Sequence, residues 1–188
     1  MITLTLDAPG KNALGTALMS HIISTLKAGR DTSGFGEPVF VTGAEGAFSA
    51  GLNLKEVASL DSPGMTKFLE TLEEMVDVLY NYPGPTFAYV NGHAIAGGCV
   101  LALACDHRLV KNDPTIRIGV NEVPLGLQFP PKTWRMVKKR VAPRSLERVV
   151  LEGALHSPEK ALALGLVDEL VQNEEEARAY AARVCKAD

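Results

Sequence analysis

The chain has 188 residues, 46% hydrophobic, 22% charged and 6% aromatic, an ordinary globular composition at a length that suits one domain with its own core. Its 19 Lys and Arg stand against 22 Asp and Glu, and the net charge of −3 argues against a nucleic-acid partner. Three cysteines without a CxxC spacing and four histidines outside any ligand cluster exclude a disulfide framework and a metal site, and predict reduced, buried thiols in a cytoplasmic compartment.

Strand-type runs alternate with helical ones, which predicts an α/β fold built from βαβ units. The first run, Ile2–Leu6, alternates apolar and polar residues and has no cationic segment before it, so it reads as a strand and no secretory leader is expected. A helix follows Leu14, with Leu18, Ile22, Ile23 and Leu26 at helical spacing and Gly29 closing it. Val39–Thr42 is the next strand. A long helix starts after Pro63, carries Phe68, Leu72, Met75, Val76 and Leu79 on one face, and stops before Pro83. Strand Thr86–Val90 leads into Gly97 and Gly98, which open a short apolar helix, Cys99–Ala104; strands His107–Val110 and Thr115–Ile118 follow. The longest apolar stretch, around Val100–Cys105, is too short to span a bilayer, so no membrane role is expected. The last third is helical, over Lys132–Arg140, Arg144–Leu151, Pro158–Leu164 and Glu174–Cys185. Its basic run Lys138-Lys139-Arg140, with Lys132, Arg135 and Arg144 nearby, reads either as a solvated helix face or as a patch that meets phosphates.

Two segments share the order strand, glycine-containing turn, helix: Gly43–Glu56 and Val90–Cys99. Small residues let backbone approach a ligand, and amides at a helix start are unpaired and carry the positive end of the helix dipole. Such amides suit a phosphate, or an oxygen that becomes negative during reaction. A glycine in this position serves equally as a tight turn, and neither segment is a Walker A or a GxGxxG fingerprint.

Phe48-Ser49-Ala50-Gly51-Leu52-Asn53-Leu54-Lys55 resembles the first oxyanion-hole segment of the crotonase superfamily, the enoyl-CoA hydratases and isomerases. Asn91-Gly92-His93-Ala94-Ile95-Ala96-Gly97-Gly98-Cys99 resembles the second, and Ala104–Arg108 the strand after it. Asn12-Ala13-Leu14, Ser157–Ala161 and Gly165–Glu169 are similar to further family segments, in family order, so the resemblance covers Ile2 to about Val171. It implies a single domain over 1–188 with a core over about 1–171, a spiral of ββα units and a helical C-terminal region. The implied chemistry is stabilisation of a thioester enolate by two backbone amides, here those of Ala50 and Gly97. Coenzyme A enters as part of an acyl-CoA substrate, with Lys11, Ala13, Leu52 and Lys55 along it; no separate cofactor and no metal are required. The resemblance also implies a homo-oligomer, a trimer or hexamer. Family members usually continue with further helices beyond the point where this chain stops, at Asp188.

The family's hydratases resemble one another in having two glutamates about the substrate. Val100 stands at the first of those positions here, and Glu122, in Asn121-Glu122-Val123-Pro124-Leu125-Gly126-Leu127, at the second. Hydration needs a water activated and a proton delivered, whereas a double-bond shift needs one group that takes a proton and returns it. A single carboxylate therefore implies a Δ3,Δ2-enoyl-CoA isomerase, as does the similarity of Asn121–Pro131 to the isomerase branch. Val100, Leu125, Leu127 and Phe129 are expected to wall the acyl chain, and burial among them is expected to raise the pKa of Glu122. Other crotonase-type activities and a non-catalytic acyl-CoA binding subunit stand as alternatives. His93 and His107 read as structural, Asp106 and Arg108 as members of a buried or interface ion pair.

Overall fold

Val39–Gly43 and Thr86–Val90 are buried at every position, as strands covered on both faces must be. They form the centre of the sheet in the computed structural model, which describes residues 1–30 and 35–187. In chain order the elements are β1 (Ile2–Leu6), a turn α1 (Pro9–Asn12), α2 (Thr16–Ala28), β2 (Val39–Gly43), α3 (Leu54–Val57), α4 (Ser62–Tyr80), β3 (Thr86–Val90), β4 (Ala94–Ile95) and α5 (Gly97–Ala104). Then come β5 (His107–Lys111), β6 (Ile118–Gly119), α6 (Pro131–Arg140), α7 (Pro143–Glu147), α8 (Pro158–Leu164), β7 (Glu169–Val171) and α9 (Glu174–Ala187).

The large sheet is parallel throughout, in the order β1-β2-β3-β5-β7. Alternation along its strands feeds two cores. Val39 and Val41 join the main core with α2, α4 and α5, while Phe40, Phe87, Tyr89 and Leu109 face the other way onto Ala177 and Ala181 of α9. A second layer runs through the parallel pair β4–β6 and the isolated bridges Leu14–Leu52, Ser49–Ala94 and Ile118–His156. The chain thus winds as repeated units of long strand, short second-layer strand and helix, the α/β spiral of ββα units expected from the motifs. The second layer is where the site lies.

Three expectations change. The strand Thr115–Ile118 shrinks to Ile118–Gly119, because Asp113 accepts hydrogen bonds from the Thr115 amide and hydroxyl and its carbonyl takes the Ile116 amide, which makes a turn. The helix Arg144–Leu151 divides into α7 and a π turn, Arg148–Glu152, ended by left-handed Gly153. The three cysteines are free, but only Cys99 and Cys105 are buried, Cys185 being half-exposed on α9. No helix among the described residues is long and apolar enough to cross a membrane.

Candidate active site

The first glycine segment is held by side chains from elsewhere. Asn12 donates to the carbonyls of Ala44 (3.1 Å) and Ala47 (2.9 Å) and accepts from the Ala8 amide (3.2 Å). Gly10, Lys11 and Asn12 are all left-handed, a costly run for the two non-glycines, and it brings the Lys11 carbonyl to the Ala50 amide at 3.0 Å. The Gly51 amide donates to Ser49 Oγ (3.2 Å), and the Asn53 amide to the Leu14 carbonyl (3.0 Å). The Leu52 amide is the one in this run with no acceptor among the described residues. This corrects the expected donor. Ala50 N–H is engaged by Lys11, whereas Leu52 N–H is open, because in the Leu14–Leu52 bridge backbone groups alternate sides and Leu14 takes up Gly51 C=O and Asn53 N–H.

The second segment is held by backbone. Ile95 donates to the Ser49 carbonyl (3.0 Å) and Ala96 to the Gly119 carbonyl (2.9 Å), between two neighbouring turns of the spiral. Ala96 sits at φ 50, ψ −121, a conformation that an L-residue adopts only under constraint. It turns the chain into α5, whose first amide is Gly97's and has no acceptor within the helix. A side chain at Gly98 would overlap the Ser49 carbonyl, so only glycine lets the segments touch. A Cβ on Gly51 would lie 3.4 Å from the Gly97 nitrogen, which puts that amide beside the first segment and its open Leu52 N–H.

Both segments face a cavity of about 300 Å³. Its floor is buried, with Leu72, Val100 (3% exposed) and Thr133 (2%), and its rim is open, with Leu54 (69%) and Leu125 (65%). Ala50, Leu52, Ala96, Gly97, Leu127 and Phe129 also line it, so all four expected acyl-wall residues, Val100, Leu125, Leu127 and Phe129, meet there. Glu122 is the single titratable side chain in that lining. It precedes a one-turn 3-10 helix, Val123–Leu125, and its carbonyl takes the amides of Leu125 and Leu127, closing the loop at left-handed Gly126. Its Oε2 is buried without a hydrogen-bond partner. Burial raises its pKa to about 7, against the smaller opposing pull of the Glu122 and Asn121 amides.

The other expected residues divide. Lys11 and Lys55 are exposed, Lys55 beside rim residue Leu54; Ala13 is buried and Lys11 serves the site through its carbonyl; none of the three lines the cavity. Asp106 and Arg108 are both in ion pairs, though with other partners: Asp106 with Arg140 (3.0 Å), Arg108 with Asp168 (2.6 Å). His93 accepts the Arg117 amide and His107 stacks on Phe87, both structural. The basic face of α6 is partly neutralised, Lys132 by Asp77 and Arg140 by Asp106 and the Tyr80 ring. Sequence reasoning missed Leu54, Leu69, Ile95, Asn121 and Thr133 in the lining. Leu54 and Leu69 carried a legible signal, as apolar residues on the solvent side of amphipathic helices. Asn53 caps α3 by accepting the Glu56 amide, work that an aspartate does equally. Among the described residues no group of three or more His, Cys, Asp or Glu is placed to hold a metal.

Residues 1–187 match the family model described as enoyl-CoA hydratase/isomerase. The chain is 29% identical over 167 residues to the human protein named enoyl-CoA delta isomerase 1, mitochondrial, covering 89% of this chain and 55% of that one. It is 37% identical over 154 residues to a putative enoyl-CoA hydratase of Thermus thermophilus, covering 79% of this chain and 60% of that one. The chain therefore spans little more than half the length of these relatives. A crystal structure of a putative enoyl-CoA hydratase/isomerase family protein from Hyphomonas neptunium superposes with a TM-score of 0.86 at 24% identity, over 97% of this chain and 71% of the other.

Proposed function

The chain belongs to the enoyl-CoA hydratase/isomerase family, and from that premise we propose that it is a Δ3,Δ2-enoyl-CoA isomerase in which Glu122 alone carries the proton. The observation that carries this reading is the cavity lining, where Glu122 is the single acid, its Oε2 is buried without a hydrogen-bond partner, and Val100 lies on the floor. The thioester oxygen is received by the amides of Leu52 and Gly97. Ionised Glu122 removes a proton from C2, negative charge moves onto that oxygen, and the double bond shifts as protonated Glu122 returns the proton at C4. A pKa of about 7 supports both directions, since the group accepts and releases a proton with little penalty near neutrality. Two preorganised amides lower the barrier substantially; loss of one such donor costs about 2.7–4 kcal/mol in comparable sites.

Coenzyme A lies across the open rim, with Lys55 beside Leu54 and Lys11 supplying charge for its phosphates, and no added cofactor takes part. The reading extends to a cytoplasmic homo-oligomer, a trimer or a pair of trimers, supported by the free thiols and by the exposed leucines Leu151, Leu155 and Leu162. The test is conversion of a 3-enoyl-CoA to its 2-trans isomer by purified protein without additive, lost in Glu122→Gln. Clean hydration of a 2-enoyl-CoA with no isomerisation, or full activity in Glu122→Gln, overturns the isomerase reading.

A further inference from the structure

Thr133 is the third residue of α6 and is 2% exposed, yet its hydroxyl, buried in the lining of the cavity, has no hydrogen-bond partner. Helical threonines normally avoid this by donating to the carbonyl four residues back. Two in this chain do so: Thr66 donates to Ser62 (3.1 Å) and Thr71 to Lys67 (2.9 Å). Thr133 has no such acceptor, because the residue four back, Phe129, precedes the N-cap Pro130 and lies outside the helix. Its floor neighbours Leu72 and Val100 are apolar, so valine, with the same shape and no hydroxyl, would complete the wall without an unsatisfied polar atom.

We infer that Thr133 forms a polar subsite on the floor of the acyl cavity, selecting acyl chains that carry an oxygen, a hydroxyl or a carbonyl, away from the thioester. This rests on the acyl-CoA reading of the cavity. The reaction centre lies with Glu122 and the Leu52 and Gly97 amides, and the rim with exposed Leu54 and Leu125, so a chain threaded from the rim past Glu122 brings its far end to Thr133. A hydroxyl serves either kind of oxygen, because it donates to a carbonyl and both donates to and accepts from an alcohol. An alkyl chain leaves it unsatisfied, which lowers affinity for the plain hydrocarbon rather than merely failing to raise it.

Saturated acyl-CoAs of equal length, with and without a hydroxyl or keto group placed along the distal half of the chain, separate the possibilities by titration calorimetry. The wild-type protein is expected to bind the best oxygenated chain about tenfold more tightly than its hydrocarbon counterpart, the scale of one hydrogen bond. Thr133→Val is expected to abolish or invert that ratio, and Thr133→Ser to keep it. Without ligand, Thr133→Val is expected to melt at the same temperature as wild type or higher. Equal affinity for both chains, or a ratio unchanged in Thr133→Val, overturns the subsite alone. A lower melting temperature for Thr133→Val also overturns it, by revealing a structural partner for the hydroxyl. Failure of the wild-type protein to bind either chain overturns the acyl-CoA reading beneath it.

Discussion

Glu122 and Asp106 are carboxylates in short connections beside buried secondary structure, and their surroundings are opposite. Asp106 accepts from the Thr86 amide (3.1 Å), the Thr86 hydroxyl (2.8 Å) and Arg140 (3.0 Å), which ties the start of β3 to α6. Glu122 has an oxygen buried with no partner, in a wall of leucine, valine and phenylalanine. A carboxylate with such partners holds structure together. An unsatisfied one is destabilised as an anion, and its readiness to take a proton is what the proposed chemistry uses. Arg108 and Asp168 repeat the first case on the neighbouring strand, the guanidinium also donating to the Cys105 carbonyl.

The sharpest way to break this contrast is Glu122→Gln, which keeps shape and removes the proton carrier. Isomerase activity is expected to fall by about 10³-fold or more, measured as kcat. In the wild-type protein kcat/KM is expected to rise with pH through about 7 and level off above it, since the proton-accepting form is the anion. A profile levelling off near pH 4.5 would remove the case for a desolvated Glu122. Next in size is Asp168→Ala, which leaves the buried Arg108 unpaired; it is expected to cost about 2–3 kcal/mol in urea unfolding with kcat of the folded protein unchanged.

Glu122 should also make folding depend on pH. The folded-state pKa of Glu122 lies above its unfolded value, so between about pH 4.5 and 7 the folded chain binds more protons and stability falls as pH rises. Glu122→Gln is therefore expected to be more stable than wild type at pH 8, by on the order of 2 kcal/mol, with the gap closing toward pH 4.5. A variant less stable than wild type at pH 8 would mean that the anion has a stabilising partner. The smallest effect concerns the amides. Ala96→Gly relaxes a strained residue and is expected to stabilise by about 0.5–1 kcal/mol while lowering kcat a few-fold through a looser Gly97 amide. Unchanged kcat would detach that strain from catalysis.

Much of the fold was legible because its strands carry their own patterns: Thr86–Val90, buried at every position, and the alternating edge strand Ile2–Leu6 were bounded to the residue. The two-residue strand Ala94–Ile95 was not, since it exists only through pairing with Ile118–Gly119 and carries no pattern of its own. In the cavity lining, Glu122, Gly97 and Val100 were readable from motif position, and Leu125, Leu127 and Phe129 from their apolar character next to Glu122. Ala50 was the wrong neighbour for the first amide. The Lys11 carbonyl that occupies Ala50 N–H is 39 residues earlier in the chain, and only a hydrogen-bond partner reveals which side of the backbone is taken.

By itself the sequence determined the alternation of strands and helices, the two glycine segments that let backbone touch backbone, and the presence of one acid where a pair would suit hydration. Those are local properties of residue type and spacing. The tertiary structure decided which amide is open, that Glu122 is desolvated enough to carry a pKa of about 7, and that a threonine hydroxyl on the cavity floor is left without a partner. Satisfaction and burial belong to groups brought together from distant parts of the chain, and they exist only once the second layer of the spiral has closed over the first.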